Sequence, residues 1–207
     1  MTLVKFNTQR ANQRANQRGA MFGLDARIAL AIFSLLAVVA GASMVANMAE
    51  NRAKGLVAEL AETAKAVDGF HADLKDDIYM VLLEPSEARA FQALYDDAVI
   101  REDENHRARW NGPYIRAASN RHAEFGEISI QKRQSLHTER CDAFEGGLCF
   151  LWLVYSSVPP NVVAEANRLM DGVGEQNAQT AGRVQWSQEE DTRQILYYRL
   201  SKALRVE

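Results

Sequence analysis

The sequence predicts an α+β fold: a long N-terminal α-helix, membrane-spanning in its apolar first half and amphipathic in its second, packed on a C-terminal antiparallel β-sheet. Three observations carry this reading. Residues 28–49 (IALAIFSLLAVVAGASMVANMA) hold no charge. Leu56, Leu60, Ala64, Val67, Phe70 and Leu74 then recur at three- and four-residue steps, the spacing of one helix face. From residue 125 onward come short β-prone segments separated by Gly and Pro.

Taken in chain order, residues 1–20 contain Lys5, Arg10, Arg14 and Arg18 and no acid. Their polar repeat RANQRANQR has no apolar periodicity and is expected to be unstructured. Without these residues, 20 basic side chains face 27 acidic ones, a net charge of −7. The positive charge is therefore concentrated ahead of the apolar run, as the positive-inside rule expects. At 1.5 Å per residue the 22-residue run spans about 33 Å, against about 30 Å for a bilayer core. No proline occurs in the first 84 residues, so one helix is expected from about Leu24 to Leu74. Glu59, Glu62, Lys65, Asp68 and Asp73 fall between its apolar positions.

Beyond it, Pro85-Ser86-Glu87 reads as a helix start with Phe91, Leu94, Tyr95 and Ala98 on one face. Residues 101–109 are a charged run, expected to be a solvated surface. Trp110-Asn111-Gly112-Pro113-Tyr114 reads as a turn entering an extended segment. Phe125–Ile130 alternates as a strand, and Phe150–Tyr155 is strongly β-prone. Between them Cys141 and Cys149 bracket DAFEGGL, where Gly146-Gly147 permits a tight return. Pro159-Pro160 open a helix with Val162, Val163, Ala166 and Leu169 or Met170 inward, ended by Asp171-Gly172-Val173-Gly174. Residues 183–186 and 194–200 are two more strands.

Composition narrows the function classes. Of 207 residues 47% are hydrophobic and 25% charged, which disfavours a wholly disordered or collagen-like chain. A net charge of −3 points to no nucleic-acid partner. A mean hydropathy of −0.27 excludes a polytopic membrane protein. No Gly-rich phosphate loop, HExxH, GxSxG or metal-spaced His/Cys cluster occurs, so neither an enzyme nor a cofactor is expected. His71, His106, His122 and His137 are scattered and expected at the surface, and Asp76-Asp77 and Asp96-Asp97 read as solvated faces.

The stretch GAMFGLDARIALAIF resembles a class III, prepilin-type signal, in which a basic leader ends at a small residue and cleavage precedes a very apolar helix. The match assigns Gly19, Ala20 and Met21 to processing. Cutting between Ala20 and Met21 puts Asp25 at mature position five, where the family carries its early acid. The departures are Ala20 where Gly is usual, Asp25 for Glu, Met21 for Phe, and Ala42 where many major pilins have Pro. The long leader and non-Phe start look like the type IVb subclass. The W-x-G-P-Y element is similar to one that follows the long helix in pilins and pseudopilins.

The resemblance implies a pilin-like arrangement: leader 1–20, apolar helix 21–49 and a periplasmic or extracellular domain 50–207. It implies a structural subunit of a type IV pilus or related filament, self-associating through its N-terminal helix. Its partners would be a prepilin peptidase and inner-membrane assembly machinery, with N-methylation of Met21. A carboxylate beside an apolar span is costly unless paired, and a neighbour's new α-amine is the partner the family implies for Asp25. Dipole stabilisation of a helix N-terminus and local pairing with Arg27 are the other readings of Asp25. In an oxidising destination Cys141 and Cys149 are expected to form a disulfide across a hairpin; two buried thiols are the alternative. The competing functions are a membrane-anchored periplasmic domain without cleavage, and a secreted binding protein cleaved near Ala42.

Overall fold

The computed structural model describes residues 8–102, 106–141, 148–172, 177–190 and 192–204, and their side chains except at 8–22, 24, 42, 45, 46, 189 and 190. Two compact units divide the chain, Met1–Met48 and Ala49–Glu207.

Helix α1 runs Thr8–Leu74. It begins just ahead of the polar repeat expected to be unstructured and runs through it. Ala, Arg and Gln are among the best helix formers, and a helix already nucleated by the following run extends into them at little cost. The helix stops at Lys75, whose backbone turns left-handed (φ 58°) while its N–H donates to the His71 carbonyl at 2.9 Å.

The expectation of a membrane-spanning half is corrected. Among the described residues no helix is long and apolar enough to cross a membrane. The expected pilin-like order, a helix followed by a sheet, is corrected as well. The described residues form a mixed α/β arrangement, in which four helical segments precede a five-stranded antiparallel sheet and a fifth, Pro160–Met170, is inserted between its third and fourth strands.

Within the second unit, α1 buries Ala53, Leu56, Leu60, Thr63, Val67, Phe70 and Leu74, alternating three- and four-residue steps, while Ala64 is half-buried. Helix α2 (Glu87–Gln92) is capped by Ser86, whose Oγ accepts from the Arg89 N–H at 3.2 Å. Helix α3 (His106–Arg109) and the 3₁₀ turn Asp97–Val99 complete this layer. The Trp110–Tyr114 element pins α1 and α2 together. Trp110 Nε1 donates to the Ala93 carbonyl at 2.9 Å, the Tyr114 N–H donates to Leu94 O at 2.8 Å, and the Tyr114 hydroxyl donates to Asp73 Oδ2 on α1 at 2.7 Å. Gly112 admits no side chain: a Cβ there would lie 2.5 Å from the Trp110 ring.

The strands are β1 (Arg121–His122), β2 (Gly126–Arg133), β3 (Phe150–Val158), β4 (Val184–Glu190) and β5 (Arg193–Lys202), in the order β1-β2-β3-β5-β4. One sheet face presents Ile128, Ile130, Leu153, Tyr155, Leu196 and Tyr198 to the core, as the pairs Ile130↔Leu153 and Leu153↔Tyr198 require. Helix α4 (Pro160–Met170) buries Val162, Val163 and Ala166, with Met170 half-buried and Leu169 exposed. Asp171 caps its end and accepts from the N–H groups of Arg183 and Val184, guiding the chain into β4.

Cys141 and Cys149 form a disulfide, with Cα atoms 5.7 Å apart. Gly146-Gly147, read as the tight return between them, lie outside the described residues. Residues 134–140 lie across the outer sheet face. Trp152 Nε1 donates to Gln134 O at 3.0 Å, and Gln185 accepts from the His137 N–H at 3.0 Å and donates to Ser135 O at 3.2 Å. Closing so short a loop is worth about 2–3 kcal/mol in the chain-entropy model. Cys149→Ser is therefore expected to lower the stability of the domain by that amount in denaturant melts. A melt identical with and without reductant would show that the bridge contributes nothing.

The histidines depart from the expected surface placement. His106 and His137 are buried, and His71 is largely so. Burial lowers the pKa of His71 against the raising effect of Asp77, Asp68 and Asp76. Burial also lowers that of His137, with Arg133 adding and the Gln185 hydrogen bond opposing. A histidine that binds its proton more weakly when folded favours the unfolded chain once pH falls below the unfolded value of about 6.5. Stability is thus expected to be full above that pH and to decline below it. The melting temperature at pH 5.5 should lie below that at pH 7.5, and the gap should shrink in His71→Gln/His137→Gln. An undiminished gap in that variant would assign the effect elsewhere.

Candidate assembly surface

The first unit carries the residues predicted for processing and subunit assembly. Gly19, Ala20 and Met21 lie in α1, and their side chains fall outside those described. Asp25 and Arg27 are exposed, and no ion pair joins them among the described residues. The local pairing considered for them does not form, because positions two apart in a helix do not face each other.

From Ile28 onward the apolar residues are exposed: Phe33 is 71% and Val38 72% accessible, and Leu30, Leu35, Leu36 and Val39 are comparably open. Each position turns the helix by 100°, so the apolar surface goes all the way round. A helix apolar on every side is one that other apolar elements surround, and contiguous exposed apolar surface of this extent marks an interaction site. The two described serines in the run do not interrupt it. Ser34 Oγ donates to Leu30 O at 2.7 Å and Ser43 Oγ to Val39 O at 3.0 Å. Each hydroxyl is satisfied within the helix and enters an apolar contact without an unpaired donor.

The second unit offers a cavity of about 390 Å³, lined by Glu59, Thr63, Arg121, His122 and Tyr155 among others. Three of its polar side chains, those of Glu59, His122 and Tyr155, are engaged with one another. His122 Nε2 lies 3.4 Å from Glu59 Oε1, and the Tyr155 hydroxyl donates to Glu59 Oε2 at 3.4 Å. Burial first, then Glu59, raises the Tyr155 pKa far above its ordinary value, so this phenol stays protonated and acts as a donor. The described residues contain no group of three or more His, Cys, Asp or Glu side chains able to hold a metal.

Asp77 was missed by sequence reasoning. It is fully buried, where a solvated face was expected. Its Oδ1 accepts from the Tyr79 N–H at 3.0 Å and lies 3.2 Å from Lys132 Nζ, and its Oδ2 accepts from the Leu204 N–H at 3.1 Å. Asp76, beside it, accepts from the Asp77 N–H at 2.8 Å and lies 3.8 Å from His106 Nε2. Asp77 is thus a structural clasp between the end of α1, β2 and the C-terminal segment.

No family model matches the chain, and neither a curated protein nor a solved structure is significantly similar to it.

Proposed function

We propose that this chain is a structural subunit that self-associates through the apolar part of α1 into a filament of the type IV pilus or secretion-pseudopilus kind. The observation that carries the reading is the apolar surface beyond Arg27, exposed on every side of the helix. A single docking groove would cover one face, whereas a bundle of copies covers all of them. The second unit, with its own core and its disulfide, decorates the polymer. The prepilin-like residues around Ala20 supply the processing step: a peptidase of the inner-membrane assembly machinery removes the leader before polymerisation. The subunit then resides in a periplasmic or extracellular filament. The chain carries out no catalysis and holds no cofactor in this reading.

Cleavage is expected between Ala20 and Met21, leaving an N-methylated Met21. Mass spectrometry of sedimentable filaments reads this directly, and Gly19→Lys/Ala20→Lys should block both cleavage and assembly. Intact leader on assembled protein would sink the processing step. Failure of the expressed chain to sediment as filaments, with the assembly machinery present, would sink the filament reading itself.

A further inference from the structure

We propose that Asp25 and Arg27 form an intermolecular ion pair, the carboxylate of one copy meeting the guanidinium of the next on a parallel neighbouring helix, and that this pairing makes the association open-ended. The proposal rests on the filament reading and adds to it the register and direction of assembly.

Both side chains are exposed at the margin of the apolar run, and no further charge occurs until Glu50. Two residues of helix turn the chain by 200° and raise it by about 3 Å. The acid and the base therefore project from nearly opposite sides at almost the same height. That geometry prevents pairing within a copy and presents complementary charges on two different faces. A two-fold symmetric contact would bring Asp25 to Asp25 or Arg27 to Arg27, which like-charge repulsion opposes. The favourable contact is heterologous, the Asp25 face of one copy against the Arg27 face of the next, and each addition leaves one unmatched face for another copy. Heterologous contacts generate rings or open helical polymers rather than symmetric dimers.

Orientation follows from the same charges. In an antiparallel pair each would lie opposite the far end of its neighbour's apolar run, roughly 30 Å from a partner. In a parallel pair, with axes about 8–10 Å apart, the long arginine side chain reaches across. Arg also suits the partner, since its planar fork binds a carboxylate through two parallel hydrogen bonds. The α-amine released by cleavage before Met21 is the other available cation, about 6 Å further toward the helix start.

The test uses two charge-reversed full-length chains, Asp25→Arg and Arg27→Asp, expressed with the assembly machinery separately and together. The first carries only bases at the two positions and the second only acids. Neither alone should form filaments above a tenth of the wild-type yield in sedimentation and electron microscopy. Together they should copolymerise to near wild-type yield, because an alternating array restores every pair. Wild-type yield from Arg27→Asp alone would overturn the proposal in favour of the α-amine as partner for Asp25. A mixture that stays unassembled while the wild type polymerises would overturn it too, leaving the filament reading standing. An unassembled wild type would remove the filament reading and this pairing together.

Discussion

Asp77→Ala is expected to be the most destabilising single substitution in the folded domain, lowering its melting temperature by roughly 10–15 °C. The carboxylate is fully buried and serves Lys132, Tyr79 and Leu204 at once. Removing one member of a buried pair costs about 3–5 kcal/mol, because the remaining groups lose the contact that offset their desolvation. For a domain of this size each kcal/mol corresponds to about 2–4 °C. Asp77→Asn should fall between wild type and alanine, since the amide oxygen still accepts from one backbone N–H while the charge is gone. Asp77→Leu combined with Lys132→Met should recover part of the loss, as replacing both partners with apolar groups avoids that desolvation. A shift below 3 °C for Asp77→Ala in a calorimetric melt would show that Lys132 and the Leu204 N–H find other partners.

The second large effect concerns assembly and leaves the fold untouched. Val38→Asp, or Phe33→Asp, places a carboxylate where the single chain exposes an apolar side chain to solvent. In the isolated protein the change is nearly free, and the near-ultraviolet spectrum and melting temperature of the domain should be unchanged. In a bundle of copies the same carboxylate is desolvated without a partner, an effective cost of several kcal/mol per ion. At 1.4 kcal/mol per tenfold, the concentration needed for polymerisation should rise on the order of a hundredfold or more. Filaments of Val38→Asp at wild-type yield would mean that this part of α1 is not buried in the polymer.

Much of the second unit was legible because its pattern is local. The stripe through Leu56, Leu60, Val67, Phe70 and Leu74 needs only a periodicity of three and four, and all five are buried. The strand segments around residues 125–130, 150–155 and 194–200 carry their own β-branched and aromatic signals. Asp77 was illegible for the opposite reason. Beside Asp76 it looks like half of a solvated acidic pair, and its partners Lys132 and Leu204 come from strands and turns far along the chain. His137 was missed likewise: what buries it is Gln185 and the Tyr197 ring, stacked at 4.4 Å, which only the sheet register brings beneath it. In α1 the apolar composition suggested a membrane span, whereas the exposed helix surface speaks directly only of contact with something apolar. Asp25 and Arg27 were visible as charges; their opposed directions emerge only once the helix is built.

The position of β5 between β3 and β4 has a consequence for the timing of folding. Ribosomal synthesis runs from the N-terminus, yet the strand that joins β4 to the rest of the sheet is the last to be made, and the hydrogen bond from Leu204 that completes the Asp77 clasp comes later still. Until residue 204 has emerged, the nascent domain holds an unfinished sheet and a carboxylate short of one donor. The β1-β2-β3 ladder can pair before that point, whereas β4 has no partner strand until β5 is made, so the two parts of the sheet are joined only by its last strand.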